Sequence, residues 1–312
     1  MNQAIGSSHP GQACGGLTCD NWLDARALWT TAALPAALVL VISMGLGRSA
    51  FAGPVLPDFS PSNFIAGAPI DNPFYPLVPG TVRRYEADIK DPDTGESTHE
   101  VNPVLVTSQT KQIAGVSARV VRDRSFEEGV LAEDTLDYFA QDKQGNVWYL
   151  GEDTNAFEYD DNGRLISTSH EGSWRAGVRG AKPGFIMPAN PAVGFSYYQE
   201  FAQRDQALDQ AQILSLNESV TVPAGHFTGV VKTLETSAAE PSVTENKFYA
   251  RGVGEILALE DIINGGQPNR VPLVSVTTAA AVPLPPGAWS ALAATALLLL
   301  PRGVRVWRAA VR

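Results

Sequence analysis

Cysteine is nearly absent from this 312-residue sequence, which has only Cys14 and Cys19. Both precede a long apolar run that begins at Ala27. If that run is a cleaved export signal, the mature chain has no cysteine. The sequence therefore predicts neither a disulfide framework nor a cysteine-ligated metal. A lipid-accepting cysteine should follow such a run rather than precede it, so lipoprotein processing is not expected.

Histidine is also scarce. Between residues 53 and 281 there are only His99, His170 and His226, each in or beside a predicted turn. No H-x-H or H-x-x-x-H pair suggests a metal site, and no G-x-S-x-G sequence marks a serine nucleophile. We therefore predict no cofactor, and an enzyme is the less favoured interpretation.

Basic residues are outnumbered by acidic ones, 23 to 33, and the formal net charge is −10. Residues 53–281 are more acidic still, with 17 Lys and Arg against 31 Asp and Glu. A nucleic-acid-binding surface has no electrostatic support in such a chain. The partners expected for this region are neutral or cationic.

The N-terminal 52 residues have the features of an export signal. The run Ala27–Gly47 is almost uninterruptedly apolar, and Ser49-Ala50-Phe51-Ala52 has the small-residue pattern of a cleavage site after Ala52. We therefore predict recognition by the secretion machinery, with Ala50 and Ala52 at the cleavage site. The preceding region is long and partly acidic, so retention of the segment as a membrane anchor is the alternative.

The C-terminal residues 278–312 combine a proline motif, a short apolar run and a basic end. The run to Leu300 is roughly 14 residues, short for a bilayer span, and the basic end should stay in the cytoplasm. The motif consists of Val282, Pro283, Leu284 and Pro285. The basic tail carries Arg302, Arg305, Arg308 and Arg312.

This order of elements resembles the PEP-CTERM family of bacterial sorting tails, in its VPLP variant. The resemblance implies that an exosortase-type membrane protease recognises Val282–Pro285 and cleaves near it. The chain departs from the family pattern because no Glu lies between the prolines and Pro301 interrupts the helix. A permanent C-terminal membrane helix is the alternative. Either interpretation places residues 53–281 at the cell surface or in the extracellular matrix.

The region between the two ends predicts a mainly β fold. Residues 53–80 are rich in Pro and Gly and form an extended lead-in, whereas residues 81–277 alternate strand patterns with Asp, Asn and Gly turns. No sustained 3.6-residue period occurs. We predict one domain of curved antiparallel sheet, a meander or half-barrel, with consecutive hairpins over residues 134–168. The N-terminal signal and the C-terminal membrane segment are predicted helices.

Six sequences in this region carry a second resemblance: DNPFYPLVPGTVRRYE, EDTLDYFAQDKQGNVWYLGEDT, EGSWRAG, MPANPAVG, ESVTVPAGHFTGVVKT and KFYARGVGEIL. They are similar to a group of secreted bacterial β-rich domains of unknown function, over residues 71 to about 260. The resemblance implies a curved antiparallel sheet. It supplies no catalytic residue.

Acidic residues form two clusters along the chain, and two interpretations are open. In the first interpretation, acidic residues beside turns keep the strand edges solvated. In the second, two of them are the facing carboxyls of a glycoside hydrolase. Such an enzyme also needs an aromatic floor, for which Trp148, Tyr149 and Trp174 are candidates. The first cluster is Glu127, Glu128, Glu133, Asp134 and Asp137. The second is Glu152, Asp153, Glu158, Asp160 and Asp161.

Calcium binding is a weaker hypothesis. Its candidate ligands are the turn residues Asp160, Asp161 and Asn162, together with the similar turn Asp142–Asn146. Both turns place oxygen atoms near a glycine, but neither has a complete EF-hand loop. Hairpin turns favour the same residues on conformational grounds alone. No metal site is therefore predicted.

Together these features favour a non-enzymatic exported surface or matrix protein that carries a C-terminal sorting or anchoring signal. A small hydrophobic molecule inside the curved sheet, or a glycan on exposed aromatic residues, is the candidate ligand. The alternative is a carbohydrate-active hydrolase that uses paired carboxylates.

Overall fold

The computed structural model describes residues 53–91, 94–160, 162–239, 241–262 and 267–278. Several predicted features lie outside these ranges: both terminal helices, the cleavage residues Ala50 and Ala52, Asp161, the Val282–Pro285 motif and the four tail arginines. Helix in the described part of the chain is limited to the 3-10 turn Pro61–Asn63. No helix in those ranges is long and apolar enough to cross a membrane.

The described residues form one large antiparallel sheet of fifteen strands. Residues 81–88 of the first strand show the alternating burial expected when successive side chains point to opposite faces. The first eight are β1 Thr81–Lys90, β2 Ser97–Ile113, β3 Val116–Glu127, β4 Val130–Gln141, β5 Val147–Tyr159, β6 Leu165–Ser169, β7 Trp174–Arg175 and β8 Lys182–Met187. The others are β9 Ser196–Tyr198, β10 Glu200–Phe201, β11 Asp209–Val222, β12 Gly225–Ser237, β13 Thr244–Ala250, β14 Gly254–Glu260 and β15 Asn269–Thr278.

The sheet consists of two meanders joined through the first and last strands. Strands β1 to β5 pair in sequence order, and so do β11 to β15. Strand β15 then pairs with β1, with Thr278 opposite Thr81. The order across the sheet is β10-β8-β5-β4-β3-β2-β1-β15-β14-β13-β12-β11-β9, and β6 and β7 also pair with β5.

The two ends of this strand order are brought together by the chain itself. Strand β9 pairs with β11 and β10 pairs with β8, yet only Gln199 separates β9 from β10. The contact is close, because a Cβ atom on Gly184 of β8 would lie 2.0 Å from the carbonyl oxygen of Tyr198. The sheet is therefore curved until it nearly closes. This confirms the prediction of a mainly β, curved antiparallel sheet.

The Pro- and Gly-rich lead-in packs against both faces of the sheet. Ile70, Phe74 and Leu77 enter the main interior cluster, beside residues of β2 to β5 and β11 to β13. Phe59 and Phe64 lie on the other face, with ring centroids 5.5 and 5.9 Å from that of Trp148. Aromatic contacts of this kind hold the extended segment in place without regular secondary structure.

The predicted hairpins over residues 134–168 are confirmed, because β4 pairs with β5 and β5 with β6. The Gly- and Pro-rich region 172–196 also contributes a strand, β8, whose Phe185 and Met187 pack in the interior. Residues 203–206 form turns, and β11 begins at Asp209. In β8, packing against the sheet outweighs the local signals of proline and glycine.

Candidate functional site

The interior of the sheet changes from apolar to acidic along the strands. Residues two apart share a face, so Val121 and Asp123 both point inward, as do Phe139 and Asp137. Val121 and Phe139 belong to the apolar cluster, whereas Asp123 and Asp137 line a cavity. The same pattern in the other strands produces an acid-lined interior.

The cavity has three contiguous compartments of about 420, 260 and 240 Å³. The outer one is lined by the exposed residues Glu171 and Ala239 and therefore opens to solvent. It shares Glu152 and Glu200 with the middle one, which shares Asp137 with the inner one. The outer compartment alone falls within the roughly 300–1,000 Å³ range of small-molecule sites.

Lys247 lies where the three compartments meet, since it lines all of them. Its ammonium is 3.1 Å from Oε2 of Glu235 and 3.5 Å from Oε2 of Glu245. Burial alone would lower the pKa of Lys247, but these carboxylates, with Glu255 nearby, raise it well above its usual value. The cavity therefore contains one charged ammonium held between acidic side chains.

Glu235 has further partners that fix its position in this group. It is 6% exposed, and its Oε1 accepts hydrogen bonds from Thr233 Oγ1 at 3.0 Å and Tyr249 Oη at 3.1 Å. A buried carboxylate needs such donors as well as an opposite charge. Glu235 is thus a fully supported counter-ion of Lys247.

Asp137 and Glu152 meet at the hydroxyl of Tyr149. That oxygen is 2.7 Å from Oδ1 of Asp137 and 3.0 Å from Oε2 of Glu152. A phenol donates one proton, so it can donate to only one of the two carboxyls. The other contact is a hydrogen bond only if its carboxyl is protonated and donates to the phenol oxygen. The arrangement therefore favours one retained proton in the pair.

The pKa shifts at these two carboxyls have the same sign. Burial, reinforced by the neighbouring carboxylates Asp123 and Glu152, raises the pKa of Asp137 well above its usual range. Burial also raises the pKa of Glu152 to about 7, although the hydrogen bond from Tyr149 opposes this. Since the two groups share one hydroxyl, their protons belong to the pair rather than to either residue.

Glu200 is another buried carboxyl between the outer and middle compartments. It is 6% exposed, and among the described residues no donor forms a hydrogen bond with its Oε2. Burial and the nearby Asp209 and Glu152 raise its pKa well above the usual value, while the neighbouring Trp174 indole lowers it. An unsatisfied buried carboxyl oxygen carries a desolvation penalty.

Carboxyls at the inner end are also shifted. Burial raises the pKa of Glu255 to about 8 despite the opposing charge of Lys247, and it raises that of Glu260 to about 7. Asp123 reaches a pKa of about 6 for the same reason, although Asn102 donates to its Oδ1 at 2.6 Å. The cavity therefore holds several carboxyls that exchange protons near neutral pH.

Acidic residues that lie close together in the sequence have different locations in the structure. Of the first cluster, Asp137 lies in the cavity, Asp134 forms an ion pair with Arg122, and Glu127 and Glu128 are exposed at a hairpin. Of the four members of the second cluster that the structure describes, only Glu152 lines the cavity. The hydrolase hypothesis is thus reduced to the pair Asp137 and Glu152.

Asp153, next to Glu152, belongs instead to an ion network outside the cavity. Its carboxylate accepts hydrogen bonds from Tyr138, Lys111 and Arg175. Burial would raise its pKa, but these donors lower it to about 2. Asp153 is therefore a structural ion-pair residue.

The candidate aromatic floor is divided between the two faces of the sheet. Tyr149 lines the cavity and stacks on Phe139 with ring centroids 4.9 Å apart. Trp148 packs against Phe59 and Phe64 of the lead-in and, with ring centroids 4.6 Å apart, against Phe185 of β8. Trp174 is buried beside Tyr149 in the cluster of the other face. Only Tyr149 of the three contributes to the cavity wall.

The weak calcium candidates form turns. Oδ1 of Asp160 accepts the backbone N–H groups of Asn162 and Arg164 at 3.0 and 2.9 Å, which is the geometry of an Asx turn. Within the part of the chain that the structure describes, no group of three or more His, Cys, Asp or Glu side chains is arranged to hold a metal ion.

Sequence reasoning missed Glu200, Glu235, Lys247 and Glu255 as cavity residues. A signal was present: Glu245, Lys247 and Tyr249 alternate along one face of β13, and Thr233 and Glu235 continue the inward face of Val231 on β12. Acids at the inward positions of an apolar strand indicate a polar interior. The opposite faces are buried as well, so the sequence does not show which face is the interior.

The sequence matches no family model and no curated protein. Two solved structures resemble the fold. One is a candidate exported protein with a YmcC-like fold from Bacteroides fragilis, 12% identical, with a TM-score of 0.34, covering 66% of this chain and 99% of that chain. The other is a candidate lipoprotein from Parabacteroides distasonis, 14% identical, with a TM-score of 0.33, covering 65% of this chain and 98% of that chain. Similarity this low carries no inference about what the present chain does.

Proposed function

We propose that this is a non-enzymatic exported protein of the cell surface or extracellular matrix, and that its acid-lined cavity binds a small polar ligand. The observation that carries the binding function is the cavity of about 420 Å³ that opens at Glu171 and Ala239 and continues inward past Glu152 and Glu200. Carboxyls kept inside a sheet at a desolvation penalty are not required to form the fold. A ligand that uses them accounts for their presence.

The lining favours a polar ligand over a hydrophobic one. The middle compartment contains carboxyls of β4, β5, β10 and β12 beside Tyr75 and Tyr249. A neutral lipid there would desolvate these carboxyls without replacing their contacts. A glycan remains compatible, because hydroxyls donate to carboxylates and sugar rings stack on tyrosines.

The binding function is tested by narrowing the entrance. Ser237 lines the outer compartment, so Ser237→Trp should weaken binding of any cavity ligand, whereas Ser167→Trp on the exposed strand β6 should not. The assay is a thermal-shift screen of the full-length chain with amines, oligosaccharides and fatty acids, followed by titration calorimetry. If no compound binds, or if Ser237→Trp binds normally, the cavity is not a ligand site.

The sorting function rests on the sequence of residues 282–312 and needs its own test. We propose that an exosortase-type protease recognises Val282–Pro285 while the arginine tail remains in the cytoplasm. An epitope placed after Arg312 should disappear from the mature protein in a host with that protease. A full-length membrane-bound product in such a host supports a permanent anchor instead.

A carbohydrate-active hydrolase remains the second candidate, because Asp137 and Glu152 contact one hydroxyl in an accessible cavity. Retaining and inverting glycosidases use two carboxyls with different proton affinities. Release of reducing sugar from a polysaccharide panel, abolished in Glu152→Gln and retained in the exposed-site variant Glu158→Gln, supports this activity. Absence of release by the wild-type chain removes it.

A further inference from the structure

We propose that the side chains of Lys247 and Glu235 condense to an intramolecular amide, a covalent cross-link between strands β13 and β12. This inference goes beyond the proposed binding function and does not depend on it. It is drawn from the contact between the two side chains, the hydroxyl groups that hold the carboxylate and a third carboxyl that shares the cavity with them.

The reacting groups are already in contact. Nζ of Lys247 lies 3.1 Å from Oε2 of Glu235, and the two residues belong to hydrogen-bonded neighbouring strands. Thr233 Oγ1 donates to the backbone carbonyl oxygen of Lys247 at 3.3 Å, which fixes the lysine against the strand of the carboxylate. Groups held together in this way react with effective molarities of about 10⁵ M or more. Proximity therefore favours an amide that free amines and acids in water do not form.

The carboxyl group of Glu235 is oriented for attack. Its Oε1 accepts hydrogen bonds from Thr233 Oγ1 and Tyr249 Oη at 3.0 and 3.1 Å, while Oε2 faces Lys247. When an amine adds to a carboxyl carbon, negative charge develops on one oxygen, and donors already aimed at that oxygen stabilise it. The two hydroxyls therefore favour Oε1 as the oxygen that stays and Oε2 as the oxygen that leaves.

The atoms and charges of the reaction balance without an oxidant or a co-reactant. The ammonium of Lys247 gives one proton to Oε2 of Glu235, which produces an amine and a carboxylic acid. Nζ then attacks Cδ, so that an N–C bond forms and the Cδ–Oε2 bond breaks. Oε2 leaves as water with two of the three ammonium protons, and the third proton stays on the amide nitrogen. A buried ion pair is thereby replaced by a neutral group, which removes its desolvation penalty.

Glu255 lies where it can carry protons in this reaction. It lines the middle and inner compartments together with Lys247. Burial raises its pKa to about 8, so it holds a proton at neutral pH. A carboxylic acid there can protonate the leaving Oε2 and then accept the proton that the nitrogen loses. The raised pKa of Lys247 opposes formation of the amine, so we expect the bond to form slowly after folding.

A second lysine–carboxylate contact provides a matched control. Nζ of Lys111 is 2.9 Å from Oδ2 of Asp153, a shorter distance than in the proposed pair. However, the Asp153 side chain is 31% exposed, against 8% for Glu235. Burial would raise the pKa of Asp153, but its hydrogen-bond donors lower it to about 2. A carboxylate that resists protonation is a poor target for an amine, so this pair should remain an ion pair.

The test is peptide mapping of the folded full-length chain by mass spectrometry. Trypsin should not cleave after Lys247 in the linked chain. It should release residues 233–251 as one peptide, lighter than its sequence by one water molecule. Glu-C protease, which cleaves after Glu245, should then leave the two halves of this peptide joined. We expect the linked peptide in most of the purified chain, and unmodified peptides around Lys111 and Asp153.

Two variants identify the carboxyl that reacts. Glu235→Ala should restore cleavage after Lys247 and the full mass of the peptide. Glu245 is the other carboxylate near Lys247, with Oε2 3.5 Å from Nζ. Glu245→Ala should therefore keep the loss of water, because it removes a neighbouring charge of similar position but leaves Glu235 in place.

Two outcomes overturn the proposal. One is a wild-type peptide of full mass, with complete cleavage after Lys247, even after prolonged incubation of the folded chain. The other is a loss of water that persists in Glu235→Ala. The first needs no variant, so it decides the question even if a substitution prevents folding. A linked chain that binds no compound supports the amide and removes the ligand site, so the two proposals fail separately.

Discussion

Trp148 donates its indole N–H to Oδ2 of Asp142 over 2.9 Å. The same carboxylate accepts N–H groups from Gln144 and from the backbone and side chain of Asn146, at 2.8 to 2.9 Å. Asp142 is 5% exposed. The turn that resembles a cation loop in sequence is therefore organised by one carboxylate whose acceptor positions are occupied by protein donors.

We expect Asp142→Ala to lower the free energy of unfolding by about 3 kcal/mol, because it leaves buried donors without an acceptor. Asp160→Ala removes an equivalent turn contact at an exposed site and should lower it by about 1 kcal/mol or less. Urea unfolding of both variants, followed by tryptophan fluorescence, measures the difference. Equal effects would show that the burial of Asp142 is unimportant.

Stability should fall as pH rises from about 5 to 8.5. The folded-state pKa values of Glu152 and Glu260 are raised to about 7 and that of Glu255 to about 8, from a usual 4.5. Across this window the folded chain binds more protons than the unfolded chain, so the free energy of unfolding decreases with pH. Urea unfolding at pH 5.5 and 8.5 measures the change. Glu255→Gln should flatten the profile, and a rise in stability with pH would contradict it.

Tyr149→Phe should raise the pKa of Glu152 above its value of about 7, because the hydroxyl of Tyr149 lowers it by hydrogen bonding. Carboxyl titration by NMR measures this shift, with Tyr198→Phe as a control for general loss of a tyrosine hydroxyl. An unchanged pKa would mean that the hydroxyl donates to Asp137 alone.

Gly184→Ala should destabilise the fold by roughly 2–3 kcal/mol, because the added methyl group would meet the carbonyl of Tyr198 where the two ends of the strand order join. Gly53→Ala, which has no heavy atom within 4 Å of its added Cβ, should have little effect. Thermal unfolding compares the two. A normal melting temperature for Gly184→Ala would indicate that this contact is loose.

The sequence predicts the strands more completely than the site. Hairpins such as β4 to β5 are specified locally, by an Asp-x-x-Gly-Asn turn between aromatic and branched residues. Strand β8, between β10 and β5, is not specified locally, since Pro183 and Gly184 oppose strand formation and the packing of Phe185 and Met187 favours it. Local patterns therefore miss elements that depend on distant contacts.

The cavity could not be predicted because its residues come from distant parts of the chain. Asp137 and Glu152 are close in sequence, and both were among the acids that the hydrolase hypothesis considered. Lys247 joins them only through the pairing of β1 with β15 and the curvature of the whole sheet. Curvature is a global property that period-two alternation does not encode.

The position of β15 has a consequence for synthesis. Strand β15 lies between β1 and β14. Until residues 269–278 are available, β1 of the first meander and β14 of the second therefore have no strand that joins them. A nascent chain that lacks them has two unpaired edges, and pairing partners almost 200 residues apart makes final assembly slow. The pairing of β15 with β1 and β14 therefore forms only after residues 269–278 have been synthesised, and until then each meander keeps an open strand edge that can pair with other chains.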